Sequence, residues 1–286
     1  MTIELSCAIG DYPHIKPLKS GAVASPLVKL DFAAVASINR AFAPMVRELK
    51  FDVSEMAIGT FIQAKAYGKM LALLPVVTLA RFQESAMLCR ADSTMRGPED
   101  LKGRRVGVRA YSQTTGLWLR GTLADDYGIA PESIDWVTFE DAHVAEYRDP
   151  SFVRRAAAGE TLLAMLRDGT LDAAIFGADA PDDSQFRCVF PEPQATAKAF
   201  LSRHGFTPVN HMICMKQSLA EERPDLAQEL MRMFREAAAI AGDKDATRFS
   251  RGAIDPALDL AARYAAEQGL TDRRLSLAEI WDGAAN

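Results

Sequence analysis

The run from Pro98 to Gly121 constrains this chain most. It reads as a turn, a short buried strand over Arg105–Arg109, and a polar loop, Tyr111-Ser112-Gln113-Thr114-Thr115-Gly116, that opens into a helix. Hydroxyl side chains at a helix start accept hydrogen bonds from the first free backbone N–H groups. The same N–H groups, at the positive end of the helix dipole, form a site for an anion. Arg109 precedes the loop and Arg120 lies one and a half turns into the helix, adding positive charge. Two readings stand at this point: a carboxylate- or phosphate-binding turn at the end of a strand, or an ordinary helix cap.

The rest of the chain repeats this alternation. Ile3, Leu5, Cys7 and Ile9 alternate as a first strand, followed by a turn-rich loop, Gly10-Asp11-Tyr12-Pro13-His14. Val35, Ile38, Phe42, Met45, Val46 and Leu49 share one helical face, and Phe51–Ala57 reads as a strand running into a second polar turn at Ser54-Glu55. Leu71–Leu79 reads as a strand interrupted by Pro75. Ser85–Arg90, Ile134–Phe139 and Leu171–Gly177 read as further strands, the last with a polar exit at Ala178-Asp179, and Asp141–Gly159 as a loop. Late in the chain Leu226, Leu230, Met233 and Phe234 mark the buried face of a helix that tolerates Pro224 in its first turn. Strands alternating with helices define an α/β protein, with ligands off the strand ends. The exits at Asp11-Tyr12, Ser54-Glu55 and Tyr111–Thr115 fit that rule.

The strands around Leu88 and Ile213 flank a compact middle section. The chain is therefore expected to be two-lobed, with 1–88 and 212–286 forming one lobe, 89–211 inserted as the other, and a two-strand hinge near 86–92 and 206–214. Each lobe is expected to hold a mixed sheet flanked by helices, with a ligand cleft between them. A length of 286 residues supports such cores.

A net charge of −5, with no Lys/Arg-rich run, excludes a nucleic-acid surface. No apolar run is long enough to span a membrane. The four scattered cysteines, without a C-x-x-C pair, suit reduced thiols. No basic segment followed by an apolar stretch and cleavage site opens the chain, so a cytoplasmic location is expected, or a periplasmic one if an export signal has been removed. There is no G-x-G-x-x-G, Walker loop or G-x-S-x-G elbow. Asp125-Asp126 and Asp182-Asp183 lack a histidine at ligand spacing, so no metal is expected.

Several segments together resemble a known family. Asp100-Leu101-Lys102-Gly103-Arg104-Arg105-Val106-Gly107-Val108 is similar to the start of the second lobe in type 2 periplasmic-binding-protein folds. More narrowly, Arg105–Val108 with Tyr111, Thr114, Trp118, Arg120-Gly121 and Tyr127-Gly128 resembles the 4,5-dihydroxyphthalate decarboxylases. So do Phe51–Met56 and Glu267-Gln268-Gly269-Leu270 with Arg273-Arg274-Leu275. Asn210-His211-Met212 sits where that family places a histidine. The similarity runs almost the full length. One departure stands out: Phe82-Gln83-Glu84-Ser85 replaces the family's Phe-Arg-His-Ser, with Arg81 one position away.

The resemblance implies a carboxy-lyase of phthalate breakdown that needs no organic cofactor, acting on a small aromatic or organic carboxylate, with a homo-oligomer compatible with it. Such a site must hold an anion, supply a general acid to a ring carbon, and orient a phenol. Arg81, Arg109, Arg120, Ser112, Thr114 and Thr115 are candidates for the anion. His211 and His14 are candidate proton donors. Glu55 is the third catalytic candidate and could bond a ring hydroxyl; Asp11, Tyr12, Ser54 and Tyr111 are candidates near the ring, with Trp118 as a stacking surface. Each has a plainer reading: Ser54 and Glu55 as caps of the next helix, His211 as a core histidine, Trp118 as core. The second functional reading is a solute-binding receptor for a small organic anion, using the same cleft without chemistry.

Overall fold

The period-two apolar pattern at the start of the chain becomes β1 (Ile3–Ala8), and the alternation continues from there in a computed structural model that describes residues 2–177 and 180–284. Ala178 and Asp179, the expected polar strand exit, lie outside the described residues. After β1 come α1 (Lys16–Lys19), β2 (Val28–Phe32), α2 (Asn39–Glu48), β3 (Val53–Ala57), α3 (Ile58–Ala66) and β4 (Leu71–Ala80). The middle of the chain holds β5 (Met87–Arg90), β6 (Arg105–Val108), α4 (Thr114–Tyr127), β7 (Asp135–Thr138), β8 (Val153–Arg155), α5 (Leu162–Arg167), β9 (Ala173–Ile175), β10 (Phe186–Cys188) and α6 (Pro193–His204). It closes with β11 (Val209–Lys216), α7 (Gln217–Glu222), α8 (Pro224–Ile240), α9 (Arg251–Glu267) and α10 (Leu277–Ile280).

Two compact units result. The first combines the chain up to Ala80 with Val209–Ala262 and the chain from Leu275 on; the second holds Arg81–Pro208 and Arg263–Arg274. This division departs from the expected boundaries in three ways. β5 and β11, which lie largely within the segments 86–92 and 206–214, are built into the two sheets, and the division does not fall within either strand. The chain passes between units at Ala80/Arg81 and Pro208/Val209 instead, where the Arg81 N–H donates to the Pro208 carbonyl at 3.0 Å. Residues 263–274 belong with the second unit because Tyr264 and Gln268 bond to side chains and backbone of α4.

The first unit is built on a five-stranded mixed sheet in the order β2-β1-β3-β11-β4. β1 runs parallel to β2 and β3, whereas β11 is antiparallel to both β3 and β4. β4 runs unbroken through Pro75 because it is the sheet edge, where a missing N–H costs no ladder bond. Leu5, Cys7, Val53, Leu74, Ile213 and Met215 meet Leu226, Leu230, Met233 and Phe234 of α8 in one apolar core, as the helical spacing requires.

The second unit has a six-stranded mixed sheet, β10-β5-β9-β6-β7-β8. Within the expected loop 141–159 the chain adds β8 to the sheet edge, parallel to β7. Val137, Leu166, Leu171, Ala174, Phe176 and Phe186 form a core on this sheet. Gly121 of α4 makes room for a ring: a Cβ there would lie 2.2 Å from Cε2 of Tyr264.

Candidate active site

Glu55 is the centre of the site in the first unit. It does not lie in a polar turn, as its sequence neighbours imply, but inside β3, with none of its side chain exposed. α3 begins directly after β3 with Ala57 at its N-cap and no side-chain cap, so neither Ser54 nor Glu55 serves as one. A lone ionised carboxylate in such a place costs several kcal/mol. Three donors offset that cost. The Gly10 N–H donates to Oε2 at 2.8 Å, the Tyr12 hydroxyl to Oε1 at 2.7 Å, and His211 Nδ1 lies 2.6 Å from Oε1. Burial pushes the Glu55 carboxyl up, but these bonds outweigh it and hold the group below the ordinary carboxylate range. An ionised carboxylate only accepts, so His211 must donate from Nδ1.

Strand register explains why these two side chains meet. β3 and β11 are antiparallel, with Glu55 opposite Ile213 and Ala57 opposite His211. Glu55 and His211 are therefore diagonal neighbours on one sheet face, within reach of long side chains. The pairing of β11 with β4 shifts register on either side of His211, the kind of irregularity that re-aims a side chain. His211 keeps 17% of its side chain exposed. With Nδ1 engaged, Nε2 is the ring nitrogen available to a ligand. The Phe42 ring packs edge-on against the imidazole, centroids 5.3 Å apart.

The other residues of this unit take supporting places. Tyr12 stacks on His14, with centroids 5.4 Å apart and ring planes 9° from parallel. Nε2 of His14 is buried without a hydrogen-bond partner among the described residues, and burial, then Arg248, holds this histidine below its ordinary value. Asp11 turns outward to an ion pair with Lys19 at 2.7 Å, and the Lys19 bond lowers its pKa. Ser54 is wholly buried and gives its hydroxyl to the carbonyls of Glu55 and Ala8, at 2.8 and 3.4 Å. It is a sheet residue with no exposed surface.

In the second unit the expected Ser/Thr cap is absent. The Gln113 N–H bonds back to the Ala110 carbonyl, and this turn puts Gln113 at the N-cap of α4, with no side-chain capping bond. Ser112, Thr114 and Thr115 are buried around it. Side chains on a helix lean toward its N-terminus, so Arg120 returns to the level of Gly116, where a Cβ would stand 2.8 Å from its Nη1. Arg120 is only 1% exposed. Its Nε donates to Gln268 Oε1 at 2.8 Å and its Nη2 to the Tyr111 carbonyl at 2.6 Å, while Nη1 has no hydrogen-bond partner among the described residues. The Tyr111 ring lies 3.9 Å below the guanidinium and that of Trp136 5.3 Å away. Burial draws the Arg120 pKa down and pushes the Tyr111 phenol up.

Three further expected ligand groups have these neighbours. Trp118 is core, edge-on to Phe200 and Tyr264. Arg109 pairs with Glu140 at 3.4 Å. Arg81 is half-buried, its carbonyl accepting from Gln83 Nε2 at 2.5 Å. Sequence reasoning missed Gly10, Phe42 and Gln268. Phe42 carries only a core signal, and Gln268 falls in a family-like segment that names no role for it.

Comparison with solved structures gives the class of protein. The periplasmic aliphatic sulphonate binding protein SsuA from Escherichia coli superposes with a TM-score of 0.62 at 14% identity, over 97% of this chain and 91% of that one. The fold is that of the periplasmic binding proteins. Curated relatives give the family. A 4,5-dihydroxyphthalate decarboxylase from Pseudomonas putida is 30% identical over 63% of this chain and 72% of its own length. One from Comamonas testosteroni is 27% identical over 99% of this chain and 97% of its length. The chain belongs to the 4,5-dihydroxyphthalate decarboxylase family. No protein-family model matches it.

Proposed function

We propose that this chain decarboxylates a hydroxylated aromatic carboxylate of the 4,5-dihydroxyphthalate type, with His211 as general acid. One observation carries the reading: a wholly buried Glu55 bonded at 2.6 Å to a partly exposed histidine. In this reading Nε2–H of His211 protonates the ring carbon that bears the leaving carboxylate. A ring hydroxyl feeds electron density into the ring as the proton arrives. The C–C bond then breaks, CO₂ leaves, and its electron pair restores the aromatic ring. Glu55 stabilises the imidazolium through Nδ1–H before transfer, and solvent returns the proton to the exposed edge. Positioned acids of this kind contribute about 10²–10⁴-fold. Incubation with 4,5-dihydroxyphthalate is expected to release CO₂ and the matching dihydroxybenzoate, and His211→Gln to cut turnover by about 10²-fold or more. Retention of the acid with no CO₂ released sinks this reading.

A second reading, binding of a small organic anion without chemistry, is favoured by Arg120. The start of α4 and a buried guanidinium are both positive, and among the described residues Arg120 forms no ion pair. An anion there would balance both. Calorimetric titration with phthalate, which lacks the ring hydroxyls, separates the readings. Binding of phthalate that is lost in Arg120→Met, in a protein inert toward the dihydroxy acid, supports the second.

A further inference from the structure

The loop between β1 and α1 looks in sequence like a ligand-facing segment, with Asp11, Tyr12 and His14 close together. In the fold its polar groups divide. Asp11 goes to Lys19. The other groups converge on Glu55: the Gly10 N–H on Oε2, and the Tyr12 hydroxyl on the same Oε1 that receives His211 Nδ1. Gly10 is needed for this approach. A Cβ there would lie 2.9 Å from Tyr12 Cε2 and 3.1 Å from Glu55 Oε2. Behind the phenol lies the flat face of His14.

We infer that Tyr12, backed by His14, is a positioning residue for the Glu55–His211 pair. Among the described residues His211 has a single side-chain hydrogen bond, so the direction of Nε2 follows the plane of the Glu55 carboxylate. Besides His211 itself, that plane is held by Gly10 on Oε2 and Tyr12 on Oε1. Without the hydroxyl the carboxylate can pivot about the Gly10 bond and carry the imidazole with it. Small losses of alignment at a proton donor cost rate far more than they cost binding. The kinetic part of this inference rests on the decarboxylase reading; the geometric part does not.

The test uses the full chain with three variants: Tyr12→Phe, His14→Ala and His14→Phe. Each is measured by thermal melting, by the low-field proton resonance of His211 Nδ1–H without substrate, and by kinetics on 4,5-dihydroxyphthalate. Tyr12→Phe is expected to stay folded, shift or broaden that resonance, and lower kcat about tenfold with KM changed by less than about twofold. The acid limb of its pH profile should move to higher pH, since a donor that keeps Glu55 ionised has gone. His14→Ala should share part of the loss, and His14→Phe, which restores a flat ring, should recover it. A raised KM at unchanged kcat in Tyr12→Phe makes the phenol a substrate contact and overturns the inference. An unmoved resonance does the same, as does loss of turnover in His14→Phe with the resonance in place. If the wild type turns over no hydroxylated phthalate, the decarboxylase reading falls, while the resonance in Tyr12→Phe still decides the positioning role.

Discussion

His211 Nδ1 and Glu55 Oε1 stand 2.6 Å apart although 156 residues separate them in the chain. The bond crosses from β11 to β3, so the pair forms only when the last strand of the first unit has found its register. Assembly of the sheet and assembly of the Glu55–His211 pair are one event.

Replacing Glu55 by Gln removes the charge and keeps the shape. The folded carboxyl titrates below its free value, so its contribution to stability is complete above the unfolded pKa, about 4.3, and is lost as pH falls through the folded value. Urea midpoints of the wild type and Glu55→Gln should differ at pH 7 and converge as the pH is lowered below 4. A gap that is constant with pH contradicts this.

Arg120 and Gln268 should behave as a coupled pair. Arg120→Met leaves two buried acceptors, Gln268 Oε1 and the Tyr111 carbonyl, without their donor, at about 1–3 kcal/mol for each such group. Gln268→Leu removes one of those acceptors. Denaturation of both single variants and the double one should give a coupling of about 1 kcal/mol or more. Strict additivity argues against the bond.

Gly121→Ala should destabilise the second unit. The added methyl would meet the Tyr264 ring at 2.2 Å, and overpacking of this kind costs about 1–3 kcal/mol. Tyr264 is held in place by its hydroxyl bond to Asp125 at 2.7 Å and cannot easily retreat. A melting temperature lowered by several degrees is expected; an unchanged one shows that α4 shifts freely.

All four cysteines are free thiols, and burial pushes each of them up, Cys7 to about 12. A disulfide reagent at pH 8 should therefore react slowly with the native protein and with four thiols once it is unfolded. Cys188, the half-buried one, should lead. Rapid reaction at Cys214 would contradict its burial.

Much of the architecture is legible in local pattern. The strand, loop and helix from Arg105 to Tyr127 are where the residues place them, and the apolar face of α8 is the one its spacing defines. The family likeness in the motifs also survives comparison with known relatives. Detail at the helix starts is less legible. Ser112 was as good a cap as any residue type offers, yet the turn closed by the Gln113 N–H put a glutamine there instead. Side-chain identity states what a residue can bond, and backbone path decides what it meets.

By itself, then, the sequence determined the alternation of strands and helices, the two apolar cores and a short set of polar candidates, because these depend on neighbours a few positions away. Tertiary structure alone decided which candidates work together. It set Glu55 diagonal to His211, turned Asp11 out to Lys19 and Tyr12 in to the carboxylate, closed Ser54 inside the sheet, and brought Gln268 to Arg120. Those outcomes follow from strand register and from burial summed over the whole chain. A one-residue slip of β11 against β3 would put His211 on the other face of the sheet.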